Sequence, residues 1–216
     1  MNGDLINQKI ERGYALAAAK VGATHSVYRA PSAISPLLST PVVTTPIGFN
    51  IAGQYKDQVQ GDQLLWEVIV DPTLVQVGDY LVGPHTWMVV GMEPLMPMVA
   101  LRCTDKITAS RGTESFSQTE GLHSSVQAYA VDVPCYIQLK RDKGFGAPAG
   151  YPAATNASAP TPEWIIYTGI SGVTPAKFFK EGDMITLTTG QLLRIDAASS
   201  STLTWQLVCT PYYPNA

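Results

Sequence analysis

Leu64–Thr104 reads LLWEVIVDPTLVQVGDYLVGPHTWMVVGMEPLMPMVALRCT, and this stretch decides the fold. An apolar run ends at Asp71-Pro72. A Val77-Gly78-Asp79 turn opens a second run, Trp87 opens a third, and Leu101-Arg102-Cys103-Thr104 closes a fourth. Short β-rich runs punctuated by Gly, Asp and Pro predict an antiparallel meander. Glu163–Thr210 follows the same plan. Trp66 matches Trp164, Gly78-Asp79 matches Gly182-Asp183, Leu81 matches Ile185, and Leu101-x-Cys103-Thr104 matches Leu207-x-Cys209-Thr210.

The match extends upstream. His25–Arg29 and Cys135–Arg141 are each a short strand pattern ending in a basic residue, and each precedes a long Pro/Ala/Ser-rich segment. A shared order of elements predicts an internal duplication. The expected fold is mainly β: two small antiparallel β-barrels of the SH3-like or OB-like kind, with an N-terminal α-helix. The expected divisions are a helix at 1–22, a first unit at 23–104, a linker at 105–130 and a second unit at 131–216. At both turns Gly78 and Gly182 are expected at positive φ, with Asp79 and Asp183 bonded to backbone.

Asp4–Val21 carries Leu5, Ile6, Ile10, Tyr14, Ala17 and Val21 at three- and four-residue steps, the spacing of one helical face. Asp4 caps its start and Gly22 ends it. Pro31–Asp62 is an apolar arm with prolines at 31, 36, 41 and 46, a density that opposes a central strand. Its Ile34, Leu37, Leu38, Val42, Val43, Ile47 and Phe49 nevertheless need burial. Together with Ile10, Tyr14 and Ala17 of the helix, they are the expected subunit contacts. The Gly/Ala/Pro-rich loop 142–162 has the composition of an exposed tip. Its Tyr151 is the candidate for contact with a receptor or glycan.

Only 14% of the 216 residues are charged, against ~25% in typical soluble domains, although 45% are hydrophobic. A surface so poor in charge is expected to meet other protein. A net charge of -3 gives no general support for nucleic-acid binding. Three cysteines without CxxC spacing, Cys103, Cys135 and Cys209, argue against a disulfide framework or zinc site. No apolar run reaches membrane-spanning length and no signal peptide is evident, so synthesis in the cytoplasm is expected. No nucleophile elbow, phosphate loop or metal-binding histidine spacing occurs. His25, His85 and His123 read as surface or loop residues. Trp66, Trp87, Trp164 and Trp205 read as core or interface.

Glu11-Arg12-Gly13-Tyr14, Ala17-Ala18 and Gly22, leading into Val27-Tyr28-Arg29, resemble virion proteins of tailed bacteriophages. Val77-Gly78-Asp79-Tyr80-Leu81 followed by Trp87-Met88-Val89-Val90 is similar to the turn and strand of phage head-closure and tail-completion proteins. Those are small β-barrels that form rings between portal and tail. The resemblance implies a non-enzymatic structural protein of the virion, assembled in the bacterial host. Its expected partners are further copies of itself and neighbouring portal, adaptor or tail proteins, with DNA only as passing cargo. No cofactor or metal is expected. The alternatives are a capsid decoration protein and a receptor- or glycan-binding tail module.

Overall fold

A computed structural model describes residues 3–29, 35–51, 65–92, 96–117, 121–140, 163–169, 178–200 and 204–213. Helix α1 spans Gly3–Val21, with Asp4 in its first turn and Lys20 in its last, both suited to the helix dipole. The Gly22 N–H donates to Ala18 O at 2.8 Å and closes the helix. A Cβ on Gly22 would stand 2.5 Å from Ala18 O and 2.7 Å from Ile47 N, so only glycine fits where the chain turns into the sheet.

Six strands follow: β1 (Ala23–Tyr28), β2 (Val43–Ile51), β3 (Leu65–Ile69), β4 (Tyr80–Val82), β5 (Thr86–Gly91) and β6 (Met98–Arg102). They close an antiparallel barrel in the order β1-β2-β3-β6-β5-β4, with β4 paired back to β1. The next six are β7 (Asp105–Ser117), β8 (Gly121–Lys140), β9 (Glu163–Gly169), β10 (Met184–Leu187), β11 (Leu192–Ser200) and β12 (Thr204–Pro211). They close a second barrel in the order β7-β8-β9-β12-β11-β10. Adding six to each label of the first barrel reproduces the second. The registers agree at the main core pairings. Val27 faces Leu81 as Ala109 faces Ile185, Phe49 faces Val68 as Ile137 faces Ile166, and Val89 faces Ala100 as Ile195 faces Cys209. Both barrels share one register slip, between Val89 and Gly91 and between Ile195 and Ala197, while the β7–β8 pair slips twice more, around Ala109, where β1 and β2 do not. An irregularity at the same point of both barrels is a shared device for bending the strand.

The duplication differs from the sequence alignment in three places. The expected linker 105–130 is β7 and the start of β8, paired from Asp105↔Cys135 to Ser117↔Gly121. The segment looks polar because only Ile107, Ala109 and Ala130 along it are described as buried apolar residues. Consequently β1 matches β7, and Arg29 corresponds to Arg111; the strand Cys135–Arg141 overlaps β8, the counterpart of β2. Finally, Cys209 corresponds to Ala100, so the Leu-x-Cys-Thr match is three residues out of register.

The Pro-rich arm is also not free. Its Val43–Ile51 part is β2, inside the first barrel, and Ile47 is 1% exposed. β2 pairs with β1 over Val43–Ile47 and with β3 over Gly48–Ile51. Pro46 therefore lies where β3 does not pair, and its missing N–H leaves no gap in that ladder. Each barrel has its own core, built around Leu81, Val89 and Ala100 in the first and around Ile166, Ile195 and Leu207 in the second. Trp87 stacks on Phe49 at 4.2 Å in the first core, and Trp205 meets Phe179 at 5.4 Å in the second.

Candidate functional site

The two Gly-Asp turns are built alike. Gly78 and Gly182 have φ of 90° and 87°. Their N–H groups donate to Val89 O and Ile195 O, and the carboxylates of Asp79 and Asp183 accept from the N–H groups of Gln76 and Lys180. Arg29 grips Asp79 with Nε at 3.0 Å and Nη2 at 2.8 Å, and Arg111 grips Asp183 with both at 2.7 Å. Tyr129 adds a third donor to Asp183 at 2.7 Å and lies under the Arg111 guanidinium. Burial would raise the Asp183 carboxyl, but hydrogen bonds from Arg111, Tyr129 and the Lys180 N–H outweigh it and hold it below its ordinary value. These carboxylates are consumed by structure.

Between the barrels lies an aromatic joint. Tyr80, Met88 and Leu101 of the first barrel are buried there, backed by Tyr28, Leu65, Val90 and Cys103, against Tyr136 and Tyr167 of the second. The Tyr80 hydroxyl donates to Pro134 O at 3.1 Å, accepts from Gly169 N at 2.9 Å and meets Thr168 Oγ1 at 3.3 Å. The Thr104 N–H donates to Cys135 O, and the Ile137 N–H to Thr104 Oγ1. The chain thus leaves the first barrel already bonded to the second.

The counterparts of the joint residues explain why the contact occurs once. In the second barrel, Ser110 stands for Tyr28, Met184 for Tyr80, Arg194 for Met88, Thr210 for Leu101, Glu163 for Leu65 and Asp196 for Val90. An apolar face has become a polar one, on which Arg194 and Asp196 pair at 3.0 Å. On the receiving side, Gly48 and Ile69 of the first barrel correspond to Tyr136 and Tyr167. Helix α1 covers that place: the Val21 side chain lies 3.6 Å from where a Gly48 Cβ would be. The helix covers the first barrel where the first barrel covers the second.

A cleft of about 290 Å3 remains between α1 and the barrel, lined by Ile10 and Tyr14 of the helix and by Val68, Val70, Met92, Met96 and Met98. Burial, and then the Glu67 charge, raise the Tyr14 hydroxyl and keep it neutral. A second, polar cleft at the joint holds His85, Arg102 and Lys106, with Arg102 Nη2 and His85 Nδ1 3.1 Å apart.

No protein family, curated protein or solved structure matches the chain. The site is therefore read from its own residues. Ile10 and Tyr14 line the cleft on their own barrel, and Ala17 is half-buried beside them. Val43, Ile47 and Phe49 belong to the core, because β2 carries them into the barrel. Leu37 packs at the joint, whereas Leu38 is 87% exposed and Val42 is also exposed. Ile34 and Tyr151 lie outside the described residues. His25 is not a surface residue: it is buried edge-on against Phe49, its Nδ1 2.8 Å from Ala23 O. Among the described residues no group of His, Cys, Asp or Glu could hold a metal, and no helix is long and apolar enough to cross a membrane. Sequence reasoning missed the joint because Tyr28, Tyr80 and Tyr136 alternate with core residues on strands that read as half-exposed.

Proposed function

We propose that this chain is a non-enzymatic structural component of a tailed-phage particle, a ring-forming protein at the head-to-tail junction, collar or tail. The observation that supports this best is the joint. Two barrels of one topology are joined through the buried Tyr80 and the half-buried Tyr28, Tyr136 and Tyr167, so the chain is a stiff double block. Its interior carboxylates are spent on turns. Apolar groups remain outside, among them Leu5, Leu16, Met92 and Met96. A stiff block with adhesive patches suits assembly by packing, and heterologous contacts between copies close into a ring when the rotation allows. The virion resemblance of the helix and of the Gly-Asp turn gives the particle.

The test is to image particles containing the labelled protein. Density around the tail axis, at the neck or along the tail, is the expected result. Label spread over the shell would instead support a decoration protein, and label at the distal fibres a receptor-binding module. Absence of the protein from purified particles would overturn the reading.

A further inference from the structure

The tyrosine seat filled on the second barrel has a counterpart on the first that borders a cleft. On the second, the Tyr80 hydroxyl sits against Thr168, Gly169 and Pro134. The registers make Val70, Asp71 and Pro46 the counterparts of these residues. Around Val70 the first barrel opens into the cleft of about 290 Å3 beneath α1, which also has Asn7 and Glu11 in its lining.

The other end of the chain carries tyrosines without a seat. Tyr212 and Tyr213 are 42% and 81% exposed. Tyr212 is the counterpart of Cys103: its N–H donates to Leu192 O at 2.9 Å, as that of Cys103 donates to Thr86 O at 2.9 Å. Cys103 packs beside Tyr80 in the joint. The second barrel therefore presents tyrosine next to the position from which the first barrel presents Tyr80.

We propose that Tyr212 and Tyr213 of one copy occupy the cleft on the first barrel of a second copy. The proposal rests on the ring-forming reading and names the contact that would build the ring. A tyrosine needs apolar walls for its ring and a polar partner for its hydroxyl. The cleft supplies Val68, Val70, Met96 and Met98 for the first need, and the Asn7 amide and Glu11 carboxylate for the second. Methionine walls adapt to an inserted ring. The contact joins the second barrel of one copy to the first barrel of the next through the C-terminal tyrosines, beside the polar face that replaces the joint. It is heterologous and can therefore close by rotation.

The full-length chain tests this in two ways. In sedimentation, Tyr212→Ala with Tyr213→Ala, and separately Met96→Trp, which fills the cleft from its rim, should each weaken self-association by about tenfold or more. Near-ultraviolet circular dichroism checks that both remain folded. Second, differently tagged chains, one Tyr213→Cys and one Met96→Cys, are mixed and oxidised. A disulfide between the two tags is expected, and neither variant should form it with the parent chain. Parent chain that assembles while the mixed pair gives no such disulfide, or tyrosine variants that assemble like the parent, would overturn the contact and leave the ring reading standing. A parent chain that stays monomeric even at high concentration would also overturn the contact, while the ring reading is tested separately by the protein's place in the particle.

Discussion

The Tyr80 hydroxyl oxygen lies 2.9 Å from the Gly169 amide nitrogen, across the joint between the two barrels. One side chain thus satisfies a backbone donor of the other barrel and, through Pro134 O, a backbone acceptor. Tyr80→Phe keeps the ring and removes both bonds, leaving the Gly169 N–H without its acceptor. The expected loss is about 1–3 kcal/mol, measured by urea denaturation. Tyr80→Ala also empties the joint and should split unfolding into two transitions, one per barrel. A single unshifted transition in either variant would show that the joint contributes nothing to coupling.

Asp183 predicts a pH dependence. Its folded value lies below its unfolded one, so the stabilisation is complete above the ordinary carboxylate range near ~4 and is lost as pH falls through the folded value. Asp183→Asn should cost roughly 2–3 kcal/mol at neutral pH, less than the ~3–5 kcal/mol of a fully buried pair, because Arg111 is partly exposed and can rehydrate. Urea midpoints between pH 7 and pH 3 provide the check: the parent should lose stability below about pH 4 more steeply than the variant.

Gly182 isolates a backbone effect. A Cβ there would touch nothing within 4 Å, yet φ is +87°. Gly182→Ala should therefore destabilise by about 1 kcal/mol through backbone strain alone, and Gly182→Asn by less, since Asn tolerates that region. Equal melting temperatures for both variants and the parent would contradict this.

The cysteines should be inert. Burial pushes the Cys103 and Cys209 thiols up to about 12, and burial followed by neighbouring charges raises Cys135 as well. Thiolate is the reactive form. Iodoacetamide at pH 8 should leave the folded chain unmodified and add three groups once it is unfolded, as read by intact mass.

Deleting residues 33–58 should unfold the first barrel, because it removes β2 and with it Ile47 and Phe49 from the core. Far-ultraviolet circular dichroism and limited proteolysis would report the loss. A folded deletion variant would require β1 and β3 to pair directly.

Several of these features were legible in the residues. Gly22 stops the helix, and Gly78-Asp79 and Gly182-Asp183 make turns, because a positive φ and an Asx bond are decided within four residues. The core tryptophans Trp87 and Trp205 also read correctly, since a large ring on an alternating strand has one buried side to take. The candidate contacts fared differently: Val43, Ile47 and Phe49 were apolar for the sake of their own barrel. Proline density pointed the wrong way there, because Pro46 sits where β3 does not pair and leaves that ladder whole.

Sequence by itself determined the local elements: a helix with its stop, short alternating strands, two Gly-Asp turns, and a repeat of that set. It did so because backbone dihedrals and side-chain periodicity are properties of neighbours in the chain. Tertiary structure alone decided which strand pairs with which. β7 and the first half of β8, up to Ala130, carry small or polar residues that give little alternation, and only closure of the second barrel recruits them. The grip of Arg111 on Asp183 spans 72 residues, and the bond from Gly169 to Tyr80 spans 89. Contacts at such separations depend on register and barrel closure, which the pattern of a single strand does not specify.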